Sequence, residues 1–208
     1  MRNIGLLGCV GALILVLIIG GIWFVGIRNN LVTLDEGVNQ AWAQVESQYQ
    51  RRYDLIPNLV RTVQGAANFE KSTLEAVVKA RAQVGQVAAP GGPPGAGPAA
   101  PNDQAAMDQF AAAQAGLGGA LSRLLVVVER YPELKANQNF LELQSQLEGT
   151  ENRIGVARKD YNDAAQRYNT AIRRFPASLA ASMSGFKPKA YFKGTPGSQN
   201  APNVQFNF

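Results

Sequence analysis

The chain has 208 residues, no histidine and a single cysteine, Cys9. This composition excludes Ser-His-Asp triads, zinc sites built from cysteine and histidine, and any disulfide within the chain. The net charge of +5 is modest but unevenly placed, because the last acidic residue is Asp163. The cations that follow it are Arg167, Arg173, Arg174, Lys187, Lys189 and Lys193.

Residues 4–27 form an uncharged apolar stretch. As a helix this stretch would extend for roughly 36 Å, long enough to cross the ~30 Å hydrocarbon core of a bilayer. A cleaved signal peptide is the alternative, but the stretch is too long and no small-x-small cleavage site follows it. The sequence therefore predicts a single-pass anchor over 1–29. The flanking Arg2 and Arg28 favour only slightly an outer, periplasmic location for the rest of the chain.

Apolar residues recur every three or four positions after the anchor, and the pattern continues past Pro57 without a change of phase. They are Leu34, Val38, Trp42, Val45, Tyr49, Tyr53, Ile56, Val60 and Val63. A new helix starting at Pro57 would have Ile56 as its N-cap, which is a poor capping residue. We therefore predict one helix over about 30–64 that is kinked at Pro57. The kink leaves the carbonyl of Tyr53 without its helical donor, so this oxygen needs water or a side chain.

A second helix is predicted over about 69–87, with Asn68 as its N-cap. The short junction before it favours an antiparallel hairpin with the first helix, and a single helix continuing through Gly65 is the competing interpretation. Residues 88–103 contain five prolines and four glycines, which predicts a flexible linker rather than a packed element.

Two more helices are predicted over about 104–130 and 138–174. Asn102 or Asp103 would cap the third helix and Asn137 the fourth. The fourth has a stripe in which large and small residues alternate: Phe140, Leu143, Leu147, Thr150, Ile154, Ala157, Tyr161, Ala164, Tyr168, Ala171 and Phe175. Such a seam is typical of coiled coils, and it packs either inside one bundle or against a second copy.

The C-terminal segment begins with a short predicted helix between Pro176 and Gly185 and then mixes cations with aromatic residues. If the helices alternate in direction, the fourth helix returns this segment toward the bilayer. We therefore predict membrane-surface contact, and the candidate residues are Lys187, Lys189, Tyr191, Phe192 and Lys193. A solvated basic tail is the alternative.

Together these elements predict an all-α fold. A single transmembrane helix is followed by an elongated antiparallel bundle of about four helices with coiled-coil-like packing. The predicted segments are the anchor (1–29), a first helical hairpin (30–87), the Pro/Gly-rich linker (88–103), a second helical hairpin (104–175) and the basic-aromatic C-terminal segment (176–208).

Three stretches of the sequence resemble the LemA family. They read LDEGVNQAWAQVESQYQRRYDLIPNLVRTVQGAANFEKSTLEAVVKARA at 34–82, NQNFLELQSQLEGTENRIGVARKDYNDAAQRYNTAIRRFP at 137–176, and AYFKGTPGSQNAPNVQF near the C-terminus. The resemblance covers nearly all of the chain except the linker. It implies a single-pass protein of the bacterial inner membrane with a long helical bundle and no established enzyme activity.

Catalysis is not expected from this sequence. Asp35 with Glu36, and Asp160 with Asp163, are carboxylate pairs, but such pairs are more typical of charged helix faces than of acid–base or metal sites. We therefore predict no enzyme activity, no cofactor and no bound metal. Nucleic acid is not expected as a partner either, because no recognised binding motif occurs.

Two functions remain open. The first is a non-enzymatic, membrane-anchored helical scaffold that forms a homo-oligomer and organises or recruits an unidentified envelope protein, with the lipid bilayer as its other partner. The second is a membrane-tethered sensor or solute-binding bundle with a pocket near the kink, around Arg52, Tyr53 and Asn58. A sensor would require an output domain, and we expect none in this chain, which favours the scaffold.

Overall fold

The computed structural model describes residues 2–66, 69–87 and 99–194, and within these ranges it contains helices and no strand. The helices are α1 (Arg2–Gln64), α2 (Lys71–Gln86), α3 (Gln104–Val128), α4 (Pro132–Lys135), α5 (Gln138–Arg173) and α6 (Ala177–Ser184). The predicted all-α fold, an N-terminal apolar helix continued by a helical bundle, is confirmed.

The membrane segment and the first helix of the bundle are one element, α1. The large apolar side chains between residues 13 and 25, apart from the half-buried Phe24, are exposed within this chain, whereas Leu31 and Val38 are fully buried. α1 therefore changes from a lipid-type surface to a packed surface over about two turns. α3 is also long and apolar enough to span a membrane, but its buried stripe packs inside the bundle, as expected for a core helix.

Pro57 lies inside α1 without ending it, which confirms that the helix continues through the proline. The carbonyl of Tyr53, which loses its helical donor to Pro57, accepts a hydrogen bond of 3.4 Å from Nε of Arg81 on α2. The guanidinium of Arg81 also lies over the ring of Tyr53, 3.9 Å from its centroid. The side chain required at this carbonyl is therefore supplied by α2.

The predicted caps are correct for the two later helices. Asp103 accepts a hydrogen bond from the backbone N–H of Ala105, and Asn137 accepts one from Phe140. α2 starts later than predicted, with Glu70 at its N-cap position and no side-chain cap, and the predicted cap Asn68 lies outside the described residues. α4 was not predicted.

The long helices pair with each other rather than with their neighbours in sequence. The part of α1 that follows the membrane segment packs against α5, and α2 packs against α3. α1 and α5 are antiparallel, because Trp42 packs on Tyr161 while Arg52, further along α1, reaches back to Glu151. The expected hairpins of sequence neighbours therefore do not describe the main packing. The reason is length, since only α5 matches the apolar stripe of α1.

The stripe of α5 is buried inside the chain. Its buried members are Phe140, Leu147, Thr150, Ile154, Ala157, Tyr161 and Tyr168, whereas Phe175 at its end is exposed. The packing forms two core clusters. A proximal cluster, nearer the anchor, surrounds Trp42 and Tyr161, and a distal cluster surrounds Ile56 and Leu117. The seam thus packs within the bundle, which was one of the two predicted alternatives.

The short helix predicted after Pro176 is α6, and it ends where expected. Gly185 has φ of 75°, a left-handed conformation that glycine adopts without the steric cost of a side chain. The chain then turns back along the bundle as an extended segment, residues 186–193, which we call the strap. Residues 88–98 of the predicted linker lie outside the described residues. Its last residues are packed, because Ala100 is buried and its N–H is bound by the side chain of Asn39.

Candidate functional site

A buried arginine joins the three helices that meet in the middle of the bundle. Arg52 on α1 is only 3% exposed. One terminal nitrogen lies 2.9 Å from the carboxylate of Glu151 on α5, and the other donates to both the side-chain and the backbone oxygen of Gln114 on α3. Burying a charge is tolerated only when it is paired and hydrogen-bonded, so this contact fixes the register of the three helices.

The guanidinium of Arg52 also faces a cavity of about 410 Å³ between α1, α3 and α5. Tyr49, Gln114 and Glu151 line this cavity, and Arg158 adds a second cation. Among the described residues, no acceptor forms a hydrogen bond with the buried Nε–H of Arg52. This nitrogen has almost no accessible surface, so the cavity offers a polar ligand the charges of Arg52 and Arg158 beside the carboxylates of Glu148 and Glu151.

A second cavity of about 630 Å³ lies beside it, between α1, the end of α2 and α3. Tyr49 and Tyr53 line it together with Glu46 and Gly85. Burial raises the pKa of Glu46, and the neighbouring indole N–H of Trp42 lowers it in part without reaching hydrogen-bond geometry.

The structure assembles only part of the pocket predicted near the kink. Arg52 and Tyr53 line neighbouring cavities. Asn58 is exposed and accepts a hydrogen bond from the side chain of Arg61.

The strap places the five predicted membrane-surface residues in different environments. Lys189 is buried and pairs with Asp35 at 2.8 Å, and Phe192 is buried against Trp42 with ring centroids 6.0 Å apart. Lys187 is exposed, Tyr191 is half-buried, and the exposed Lys193 pairs with Asp108. Membrane contact stays a prediction for this set, although two of its five side chains are held inside the chain.

The strap is held by side-chain amides that sequence reasoning missed. Asn169 donates to the carbonyl of Lys189 at 2.9 Å and accepts from its N–H at 2.8 Å. Asn162, two turns earlier on α5, makes the same pair of bonds with the backbone of Phe192. Gln104 on α3 does so with Tyr191. These amides replace the neighbouring strand that an extended backbone normally requires.

Two tyrosines complete this contact, each immediately before one of the two asparagines. Tyr161 donates to the carbonyl of Ala190 at 2.8 Å, and Tyr168 donates to that of Lys187 at 3.1 Å. Burial raises the pKa of Tyr161, and burial together with the charge of Asp35 raises the pKa of Tyr168 to about 12. The repeated Tyr-Asn pair, seven residues apart, was the sequence signal for this site.

Two of the acidic residues considered for catalysis have cationic partners. Asp35 pairs with Lys189, as described above. Asp163 pairs with Lys159 at 2.8 Å, and this contact lowers the pKa of the carboxyl group and raises that of the lysine. Both contacts are ion pairs that stabilise the packing or the surface of the bundle.

The opposite side of the α1–α5 pair carries an open groove of about 440 Å³. Its rim is polar, with Gln44, Gln48 and Arg153, and its floor includes Ala41 and Ala157. Val156 is 60% exposed at its edge. Small residues on the floor allow another helix to approach closely.

Comparison with known proteins gives consistent matches. The LemA family profile matches residues 41–206. The chain is 32% identical over 178 residues to magnetosome protein MamQ 2 of Paramagnetospirillum magneticum, covering 81% of this chain and 65% of the relative. It is 30% identical, with the same coverage, to magnetosome protein MamQ of Magnetospirillum gryphiswaldense. Protein LemA of Metamycoplasma hominis is 22% identical over 88% of this chain and 77% of the relative.

The chain thus spans less than two thirds of the length of the MamQ relatives. Taken with these relatives, the exposed apolar stretch of α1 identifies a membrane protein. The family profile covers most of the sequence, including Trp42, Arg52 and the strap, and the chain belongs to the LemA family.

Proposed function

We propose that this protein is a non-enzymatic scaffold of the bacterial inner membrane, with its bundle on the periplasmic side. It self-associates and organises or recruits other envelope proteins. The observation that carries the proposal is the continuity of α1 from the membrane segment to the tip of the bundle. From Leu31 to Gln64 this helix rises for roughly 50 Å, so the bundle stands off the membrane as one rod.

The open groove between α1 and α5 supports a docking role. Its floor of alanines lies between two helices whose other sides are already covered by α3 and the strap. A helix from a second copy would cover Val156 and the alanine floor of the groove.

Crosslinking in native membranes tests the proposal. In a Cys9→Ser background, Val156→Cys places one thiol at the edge of the groove. Val126→Cys is the matched control, because this valine is 70% exposed on α3, away from the groove. A short bis-maleimide should give covalent dimers from position 156, the largest product that one thiol per chain allows, and mainly monomers from position 126. Equal crosslinking from both positions, or monomers alone, would contradict self-association through this groove.

The membrane side is tested separately with a maleimide that does not cross membranes. The thiol at position 126 should react in intact spheroplasts, where the periplasmic face of the inner membrane is open to the reagent. Reaction only after lysis would place the bundle in the cytoplasm, without affecting the docking proposal.

A sensor remains the second candidate, and one observation favours it. Arg52 and Arg158 line one cavity together with the carboxylates of Glu148 and Glu151, so a polar solute that carries an anionic group is the ligand class with matching chemistry. Melting temperatures of the detergent-solubilised chain would be measured with acetate, glutarate and inorganic phosphate. Stabilisation that disappears in Arg52→Met, relative to the melting temperature of that variant without ligand, would support sensing. No shift with any of the three would count against this class of ligand.

A further inference from the structure

α6 lies at the end of the bundle where α1 leaves its membrane segment. It packs against α1 and α5, and its buried residues are Ala180 and Ala181. Ala181 belongs to the same cluster as Leu31, and Ile27 packs against that cluster. Trp23 lies only about 12 Å before Leu31 along the helix. α6 is therefore next to the headgroup region of the bilayer that holds α1.

The outer face of this short helix is apolar. Phe175, two residues before the helix, is 81% exposed, Leu179 is 59% exposed and Met183 is 77% exposed. Leu179 and Met183, four residues apart in α6, lie on the same face of the helix and form an apolar strip. Phe175 adds a further exposed apolar side chain at the start of this helix. Large apolar side chains that face away from a core in this way mark an interaction surface.

Cations surround this strip. Arg173 and Arg174 lie just before Phe175, Lys187 follows α6, and Arg28 is on the adjacent part of α1; all four are exposed. The sequence contains no acidic residue after Asp163. On α1 the nearest carboxylate, Asp35, is neutralised by Lys189. The surface thus combines exposed apolar side chains with uncompensated positive charge, the combination that suits an anionic membrane interface.

We propose that α6 is a membrane foot: Phe175, Leu179 and Met183 insert among the headgroups of the bilayer that anchors α1, and Arg173 and Arg174 bind anionic lipid phosphates. A second copy is a poorer occupant, because a symmetric contact would bring two cationic ends together. The foot differs from the surface predicted from the sequence, since Lys189 and Phe192 are used inside the chain. It depends on the anchoring of α1 and not on the scaffold function.

Fluorescence of the full chain in vesicles tests the foot. Met183→Cys in a Cys9→Ser background would be labelled with the polarity-sensitive probe NBD, with Val126→Cys as the matched control. Leu124 and Val128, on either side of Val126, pack in the same cluster as Val63, so the control position lies far from the membrane. In vesicles of phosphatidylcholine and phosphatidylglycerol, the probe at 183 should emit at shorter wavelength and be quenched by shallow spin-labelled lipids. The probe at 126 should be quenched by aqueous iodide alone.

Two further variants separate the apolar and charged contributions. Leu179→Gln should restore iodide quenching at position 183. Arg173→Gln and Arg174→Gln should each lower the ratio of docked to undocked foot roughly fivefold in anionic vesicles, with little effect in pure phosphatidylcholine. Circular dichroism of each variant would verify that the helical content is unchanged.

Three results would overturn the proposal or part of it. Iodide quenching at 183 equal to that at 126 would show that the foot is in water. A signal that grows with the protein-to-lipid ratio would assign the surface to a second copy. Arginine variants that behave like the parent in both lipid mixtures would overturn the binding of phosphate by Arg173 and Arg174.

Discussion

At Pro57 one backbone hydrogen bond of α1 is missing, and a residue of another helix compensates for it. Arg81 donates to the free carbonyl of Tyr53 and lies over the ring of the same residue. Arg81→Met keeps most of the aliphatic stem and removes the charge and the donors. We expect it to lower the free energy of unfolding by about 1–2 kcal/mol, measured by denaturation of the solubilised chain.

The same measurement in a Pro57→Ala background isolates the hydrogen bond. Alanine at position 57 has a backbone N–H that can donate to the carbonyl of Tyr53, so this carbonyl no longer depends on Arg81. Arg81→Met should therefore cost about 1 kcal/mol less than it does beside proline. An equal cost in both backgrounds would mean that Arg81 acts through the aromatic ring alone.

Glu46 gives a pH dependence whose sign follows from its burial. The pKa of this carboxyl is raised in the folded chain, because burial disfavours the charged form. Its contribution to stability is therefore fully present below the unfolded pKa and is lost as pH rises through the raised folded value. Glu46→Gln removes this loss, so the variant should gain melting temperature relative to the parent between about pH 4 and pH 7. A difference in melting temperature that stays constant across this range would show that the carboxyl group of Glu46 is solvated in the folded chain.

Among the elements, the strap is the one whose position depends on single side chains of α5. Asn169 bonds both backbone groups of Lys189, which are buried. Asn169→Leu leaves the N–H and the C=O unpaired and should cost about 1–3 kcal/mol, with faster hydrogen exchange in residues 186–193. Gln166→Leu is the control at an exposed amide of the same helix, away from the groove, and should stay within about 0.5 kcal/mol of the parent. Unchanged exchange in Asn169→Leu would mean that aromatic packing alone holds the strap.

The elements also show which features a sequence can reveal. The stripe on α5 and the helix through Pro57 were predictable, because both depend on a local period of about 3.6 residues. The caps of α3 and α5 were predictable because they are local as well, since a cap contacts residues only two or three positions away. All of these signals lie within one helix.

The strap and the helix pairing were not predictable in this way. Lys189 was assigned to the membrane surface because its partner Asp35 is more than a hundred residues away, and an extended segment has no period that shows which face is buried. The pairing of α1 with α5 rather than α2 likewise depends on matching two long stripes across the whole chain. The Tyr-Asn repeat of α5 is visible in the sequence, but the sequence does not show that it binds the strap.

At the scale of the whole molecule, the continuity of α1 fixes the bundle relative to the bilayer. Spin labels at Ile22 in the anchor and at Val156 on α5 would report this relation. Val156 lies level with Ser47, judged from the Trp42–Tyr161 and Arg52–Glu151 contacts, so the two labels are separated by about 38 Å along the axis. We expect a narrow distance distribution between them in lipid nanodiscs.

Insertions between Gly26 and Ile27 test whether the rod itself carries this rigidity. Seven alanines add two helical turns, which lengthen the axis by about 10 Å and nearly preserve the rotation of the bundle, so the distribution should shift and stay narrow. Seven glycines add the same number of residues without a stable helix and should broaden it. The alanine insertion also lifts α6 away from the headgroups, so NBD at position 183 should then become accessible to iodide. A broad distribution in the parent chain would show instead that α1 bends where it leaves the membrane, and the bundle would then have no fixed height from which to present either its groove or its foot.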